Sequence, residues 1–134
     1  MNIYEELNLD EFVKQLISKT KKDELIWEMV PDKQRFRLIE RTVNYASIID
    51  PFYTKNSKGE VIVVGKMDKK VYYEEDEYYY DDTYFLKFTD STFDTGTTFT
   101  DNGKMGFQVE LGKLHRIVQI RGNNLKTKID SWFD

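Results

Sequence analysis

Residues 72–85 read YYEEDEYYYDDTYF, and this stretch gives the clearest prediction of local structure in the chain. Four consecutive acids, residues 74–77, stand between two segments that are rich in tyrosine, phenylalanine and leucine. Aromatic residues favour β-strands, whereas disordered tracts lack this density of aromatic side chains. The stretch therefore predicts a β-hairpin whose arms lie in a sheet and whose acidic tip projects into water.

The segment before the hairpin extends the predicted sheet. Residues 60–67, EVIVVGKM, are apolar at both odd and even positions, which places this strand at the centre of the sheet. Gly65 interrupts the apolar run and indicates a bulge or a close backbone contact. Residues 55–59, KNSKG, have the composition of a turn.

Three further segments are assigned from shorter patterns. Residues 24–31, ELIWEMVP, alternate like a short strand that stops at Pro31, and we expect the Trp27 side chain to be buried. Residues 36–49 predict a longer strand, with apolar residues on one parity. Residues 90–103 are polar and rich in threonine, which indicates a small hairpin or an ordered loop.

An amphipathic helix is predicted at the N-terminus. Its apolar residues recur at helical spacing, and they are Leu9, Phe12, Val13, Leu16 and Ile17. Asn8 and Glu11 have the spacing of a capping box at the start of such a helix.

A second apolar stripe lies near the C-terminus, and it comprises Leu114, Ile117, Val118, Leu125, Ile129 and Trp132. Gly122 falls on this stripe. We predict one continuous helix in which Gly122 faces the core and Trp132 is buried, and the alternative is a break at residues 122–124. Together these elements predict a single α+β domain over residues 1–134: an N-terminal helix, an antiparallel sheet of four or more strands, and a C-terminal helix packed on the sheet.

Composition narrows the class of protein. The chain has 134 residues, 20 of them aromatic, and contains no cysteine, which excludes disulfides and thiolate chemistry. No apolar run approaches the roughly 18 residues that span a bilayer. The start, MNIYEELNLDEF, does not have the pattern of a secretory signal. We therefore expect a cytoplasmic protein.

Motifs for catalysis or metal binding are weak. Asp94-Thr95-Gly96 matches the triplet of aspartic proteases, but polar residues precede it and the triplet occurs once, so we predict a turn there. His115 is the only histidine, and we place it at the surface or at an edge. The acids of the opening stretch lack the spacing of a calcium loop. We therefore predict a non-enzymatic protein with no catalytic residue, metal or cofactor.

Charge is distributed unevenly along the chain. The acidic region and the basic region each suggest a function. From Glu74 to Asp94 the net charge is −7, and from Asn102 to Lys128 it is +5. The first hypothesis is a protein-interaction domain in which carboxylates and tyrosines on the hairpin bind a partner, for example a host nuclease or a DNA-binding protein. The predicted partner-binding residues are Tyr73, Glu74, Glu75, Asp76, Glu77, Tyr79, Asp81 and Asp82.

The alternative hypothesis is a nucleic-acid-binding module that uses the basic C-terminal helix. Its candidate residues are Lys113, Arg116, Arg121, Lys126 and Lys128.

Both ends of the chain resemble small uncharacterised proteins of Gram-positive bacteria and their prophages. The opening FVKQLISKTKKDELIWE, residues 12–28, is similar to their amphipathic helix ending in Lys-Thr, followed by a strand with Leu-x-Trp. The closing LHRIVQIRGNNLKTKIDSWF, residues 114–133, resembles their final helix, which often carries an Asn pair such as Asn123-Asn124. The resemblance implies a helix–sheet–helix domain from a mobile element, and an inhibitor directed at a host protein fits such a source.

Overall fold

The computed structural model describes residues 7–39, 45–101 and 106–134, and the described residues form an α+β fold. The helices are α1 (Leu9–Lys21), α2 (Phe107–Gly122) and α3 (Leu125–Asp130), and a 3-10 helix spans Asp32–Arg37. The strands are β1 (Glu28–Met29), β2 (Tyr45–Lys55), β3 (Val61–Tyr72), β4 (Tyr78–Thr89) and β5 (Thr97–Phe99).

The five strands form one antiparallel sheet in the order β1-β2-β3-β4-β5. The apolar strand β3 is central, as its sequence predicts. The β3–β4 hairpin is confirmed, with twelve residue pairs in register from Val61–Thr89 to Tyr72–Tyr78. The threonine-rich segment forms no hairpin of its own over its described residues: residues 90–96 are a loop, and Thr97–Phe99 pair with residues 86–88 of β4.

The helices α1 and α2 pack side by side on one face of the sheet. Their apolar stripes meet the even-numbered residues of β3 and β4, such as Val64 and Leu86. Phe12 of α1 lies against Phe88, with ring centroids 5.3 Å apart. The predicted stripe of α1 therefore contributes to the main core, together with Leu114 and Val118 of the C-terminal stripe, whereas Ile129 and Trp132 of that stripe are exposed.

A second core lies on the opposite face, beneath the segment between β1 and β2. Val30 and Leu38 are fully buried there against β3 and β4. The Lys87 side chain is also buried, and its ammonium donates hydrogen bonds to the carbonyl oxygens of Arg37, Leu38 and Phe93 at 3.0 to 3.1 Å. A buried charge requires partners of this kind, so Lys87 joins two irregular segments to the sheet.

The motif Lys-Thr followed by Leu-x-Trp has a structural explanation. The Thr20 hydroxyl donates to the Leu16 carbonyl oxygen at 2.6 Å and accepts a hydrogen bond from Trp27 Nε1 at 3.0 Å. The Trp27 side chain is buried, as predicted. The two residues thus connect the end of α1 to the segment that leads into β1.

Three local predictions at the N-terminal half are wrong. The strand predicted at 24–31 has only two paired residues, Glu28 and Met29, because the Trp27 side chain turns into the core under α1. The first residues of the strand predicted at 36–49 belong instead to the 3-10 helix and its cap at Leu38, and the structure describes β2 from Tyr45 onward. Val43 lies outside the described residues. Asn8 adopts a left-handed conformation with φ 48° and makes no side-chain cap, so the capping box with Glu11 is not formed.

Gly65 allows the close contact that the sequence indicates. The register of β2 shifts between Ile49 and Phe52, so that Asp50 and Pro51 lie opposite Gly65, and Asp50 has φ 46°. A Cβ at Gly65 would lie 2.9 Å from the Phe85 ring and 3.2 Å from the Pro51 Cα. The bulge therefore requires glycine at this position.

The C-terminal helix is broken, so the prediction of continuity is wrong. Helix α2 ends at Gly122, and Asn124 has φ 53°, a left-handed conformation that asparagine tolerates. The break turns α3 away from the core, and Trp132 is 73% exposed instead of buried. Gly122 does face the core, because a Cβ there would lie 2.5 Å from Phe52 Cε1.

His115 is buried, which contradicts the predicted surface position. It lies on the sheet side of α2, near the rings of Phe52 and Tyr84. Its Nε2 lies 2.8 Å from the Asp50 carbonyl oxygen. A carbonyl oxygen only accepts hydrogen bonds, so Nε2 carries the proton and holds the bulge of β2 against α2.

Candidate functional site

The hairpin extends beyond the rest of the sheet. The pairing of β2 with β3 reaches Lys69, and β5 pairs with β4 only over residues 86–88. Residues 70–80 therefore form a two-stranded ribbon to which no other strand of the described chain is paired. We refer to residues 70–80 as the ribbon. Its two faces and its tip are all open to solvent.

The tip of the ribbon is an acidic turn closed by its own backbone. The Tyr73 and Glu74 amides donate to the Glu77 carbonyl oxygen at 3.2 and 3.4 Å, and the Glu77 amide donates to that of Glu74 at 3.4 Å. All side chains from residue 74 to residue 77 are exposed. None of the ion pairs found between described residues involves them. Water accommodates four adjacent carboxylates at little cost, which explains their position at a tip.

Tyrosines cover both faces of the ribbon. One face of the ribbon continues the face of the sheet on which α1 and α2 pack. On this face the Tyr78 ring lies 5.4 Å from the Tyr72 ring and 5.5 Å from the Tyr80 ring. The Lys70 ammonium stands 4.7 Å from the centre of the Tyr78 ring. On the opposite face Tyr73 and Tyr79 stack at 6.3 Å. These contacts stabilise a two-stranded element that is otherwise marginal in water.

The five ribbon tyrosines remain between 42% and 62% exposed. Rigid aromatic side chains lose little entropy when they are buried in an interface, and their hydroxyls keep a polar contact. The arrangement can therefore bind another surface.

The structure divides the predicted partner-binding residues into two groups. Tyr73 and Tyr79 lie together next to the acidic tip, and Asp81 follows Tyr79 on the same face, opposite Lys69. Asp82 lies on the other face, because successive residues of a strand point in opposite directions. The acids are thus concentrated at the tip, not spaced along one strand edge.

Asp82 belongs to a cluster that the sequence analysis missed. Its partner across the strands is Asp68, and the Lys66 ammonium lies 3.5 Å from its carboxylate. The hydrogen bond between the two carboxyls raises the pKa of Asp68 and lowers that of Asp82, and Lys66 lowers the latter further. The Ser47 hydroxyl also donates to Asp68 at 3.1 Å. Only the strand register identifies this pair, since fourteen positions separate the two acids in the sequence.

Within the described ranges, no three side chains of histidine, cysteine, aspartate or glutamate are grouped so that they could hold an ion.

The basic residues of the C-terminal region are largely paired. Lys113 contacts Glu110 at 3.3 Å, Arg121 contacts Asp23 at 3.5 Å, and Lys126 contacts Asp130 at 2.7 Å. Arg121 also donates to the Lys21 carbonyl oxygen. Arg116 and Lys128 make no ion pair with a described residue. The break after Gly122 separates Lys126 and Lys128 from the other three, so the five cations do not share one helix.

Comparison with protein-family models, with curated proteins and with solved structures gives no significant match for this chain. Over residues 7–39, 45–101 and 106–134, no helix combines the length and the apolar character that crossing a bilayer requires.

Proposed function

We propose that the protein is a small, non-enzymatic interaction domain that binds a basic surface of another protein through the ribbon. The observation that carries this proposal is the exposed combination, at residues 72–77, of tyrosines with acids that form no ion pair with a described residue. The tyrosines supply contact area at small entropic cost, and the acids accelerate encounter with a positively charged partner.

The ribbon also contributes no residue to the hydrophobic core. Neither core cluster includes a ribbon residue, so core packing does not explain why the ribbon is rich in tyrosine. Exposed aromatic residues on a projecting element are unfavourable for solubility unless they are covered in a complex. An interaction role accounts for their presence, whereas a purely solubilising turn needs only the acids.

The charge pattern favours a partner that itself binds nucleic acid. Nucleases and DNA-binding proteins present basic surfaces that an acidic tip complements. The resemblance of both chain ends to proteins of mobile elements supports a cytoplasmic inhibitor of such a host protein. The ion pairs of Lys113, Arg121 and Lys126 support the hairpin over the alternative of nucleic-acid binding by the C-terminal helices.

The test is capture of a partner from the lysate of a Gram-positive host, followed by binding kinetics with purified components. We expect Glu75→Ser/Asp76→Ser to slow association severalfold, and added salt to slow association of the parent in the same way. The matched control is Glu11→Ser/Asp94→Ser, which changes the net charge equally at exposed sites outside the ribbon. Its kinetics should equal those of the parent.

Two results would overturn the proposal. One is a partner whose association with the tip variant is unchanged and insensitive to salt. The other is recovery of nucleic acid instead of protein, with binding lost in Lys113→Gln/Arg116→Gln and retained in the tip variant.

A further inference from the structure

The outer edge of β4, on the side away from β3, is only partly covered. β5 pairs with residues 86–88 of β4, and the Gln108 side chain covers the edge at Tyr84. Gln108 Oε1 accepts a hydrogen bond from the Tyr84 amide, and Gln108 Nε2 donates one to the Tyr84 carbonyl oxygen, both at 2.8 Å. The amide and carbonyl of Tyr84 therefore point away from β3, and Gln108 takes the place that a neighbouring strand would occupy.

The rest of this edge, residues 78–82, is open, and we refer to these residues as the open edge. The β3–β4 register is continuous, so alternate residues of β4 present their backbone groups in the same direction. Tyr78, Tyr80 and Asp82 thus present an amide and a carbonyl outward, as Tyr84 does. Within the described chain, no strand pairs with these groups and no side chain bonds to them.

The open edge is suited to pairing with a strand of another chain. Residues 78–82 are exposed, and they contain no proline, no lysine and no register shift, which are features that commonly protect an edge strand. Tyr78 and Tyr80 lie on one face and Tyr79 on the other, so tyrosine rings would flank an added strand on both faces. Main-chain hydrogen bonds would provide affinity, and these side chains would provide specificity.

The charge of this end of the sheet selects the sign of the added strand. Residues 66–82 hold three lysines and seven acids, a net charge of −4. All three lysines lie on β3, whereas Asp81 and Asp82 lie on β4 next to the open edge. Two copies of this chain would bring together edges of the same charge, which disfavours self-pairing. A basic segment is attracted instead.

A hollow of about 440 Å³ lies at the end of the open edge, between β4 and the start of α2. Asp81 and Asp82 both line it, although their side chains lie on opposite faces of the strand, and Val109 adds an apolar wall. A lysine or arginine side chain fits such a hollow, because its alkyl stem packs against apolar atoms while its charge meets a carboxylate.

We propose that the ribbon binds its partner by strand addition. An extended segment of the partner protein that contains lysine or arginine pairs with the open edge through the backbone of Tyr78, Tyr80 and Asp82, and places a basic side chain in the hollow. This inference rests on the proposed function and specifies how the ribbon meets its partner.

Titration of the full chain with a synthetic octapeptide of alternating lysine and valine tests the proposal, by amide hydrogen exchange measured with NMR. The amides of Tyr78, Tyr80 and Asp82 should exchange rapidly in the free chain and about tenfold more slowly with the peptide bound, because a strand then covers them. The amides of Tyr79 and Asp81 face β3 and should change less.

Two peptides serve as controls. Alternating glutamate and valine should not bind, because its charge has the wrong sign. Alternating lysine and proline has the same charge as the test peptide but cannot pair as a strand, so it should leave exchange at the open edge unchanged.

Tyr80→Pro and Tyr80→Ala form a matched pair of variants. Both remove the ring, but only proline removes the outward N–H, and neither removes a hydrogen bond to β3. Tyr80→Pro should bind the lysine–valine peptide about tenfold more weakly than Tyr80→Ala. The exchange measurement uses the parent chain, so it decides the question even if the proline variant does not fold.

The proposal is overturned if the lysine–valine peptide does not bind, if it binds without slowing exchange at the open edge, or if the two folded Tyr80 variants bind it equally. Slowed exchange on concentrating the free chain would overturn it in favour of a second copy. A captured partner that associates equally with both Tyr80 variants, but more slowly with Glu75→Ser/Asp76→Ser, would overturn strand addition alone and leave the proposed function standing.

Discussion

At the residue scale, single contacts between helix and sheet determine which side chains are tolerated. Gly122 is the clearest case, because the Phe52 ring occupies the space where a Cβ would project. Thr20 is another, because its hydroxyl is shared between the α1 backbone and Trp27. Hydrophobic periodicity places Gly122 on the core-facing side but does not identify Phe52 as its contact, and it treats Thr20 only as a polar helix residue.

We predict that Gly122→Ala destabilises the protein by about 1–3 kcal/mol, the usual cost of overpacking a core. The helix propensity of alanine favours the variant by up to about 1 kcal/mol, but the 2.5 Å contact with Phe52 Cε1 outweighs it. Urea denaturation measures the difference. The same substitution in a Phe52→Leu background is the control and should cost less. An alanine variant more stable than the parent would show that the Phe52 ring moves aside freely.

At the element scale, the β3–β4 hairpin combines two parts with different roles. The part up to Lys69 and Asp81 belongs to a sheet and is held by both cores. The ribbon beyond is held only by its own backbone pairing and by tyrosine contacts. Its acids should therefore be dispensable for folding, and its rings should not.

We predict that replacing Glu74, Glu75, Asp76 and Glu77 with serine leaves the unfolding free energy unchanged or slightly higher. Only repulsion among exposed carboxylates is removed, since none of them pairs with another described residue. Tyr78→Ser is the comparison within the same element, and it should cost about 0.5–1.5 kcal/mol through lost ring contacts. A quadruple variant that is unfolded would mean that the fold depends on these acids.

At the scale of the whole molecule, α2 is joined to the sheet by polar contacts at the β2 bulge. His115 Nε2 donates to the Asp50 carbonyl oxygen, and Gln119 Nε2 donates to the Asp50 carboxylate at 2.9 Å. Burial lowers the pKa of His115 from its ordinary value of 6.5, and the carbonyl and charge of Asp50 offset only part of this effect. The neutral imidazole is thus part of the folded state.

Because His115 is neutral in the folded protein, we predict that stability depends on pH. Below about pH 6.5 the unfolded chain binds a proton at His115 that the folded chain does not, so the unfolding free energy falls as the pH decreases. Above that value the full contribution is present. Denaturation between pH 7.5 and pH 5 should show the decline in the parent and a flatter profile in His115→Gln. Parallel profiles for the two proteins would contradict the assignment of the decline to His115.

The sequence by itself determined the α+β class, the central strand at residues 60–67, the hairpin with its exposed acidic tip, and the buried Trp27. These features follow from the alternation of apolar and polar residues, from helical spacing and from the cost of burying adjacent charges. Each of these patterns can be recognised within a short segment of the chain. The candidate site was found in outline for the same reason, because aromatic and acidic residues are adjacent in the chain.

The remaining features depend on contacts between residues that lie far apart in the sequence. The pairing of Asp68 with Asp82 depends on strand register, and the burial of His115 and Lys87 depends on carbonyl groups that lie 65 and as many as 50 residues away along the chain. The break at Asn124, which leaves Trp132 in solvent, follows from a backbone conformation that periodicity does not encode.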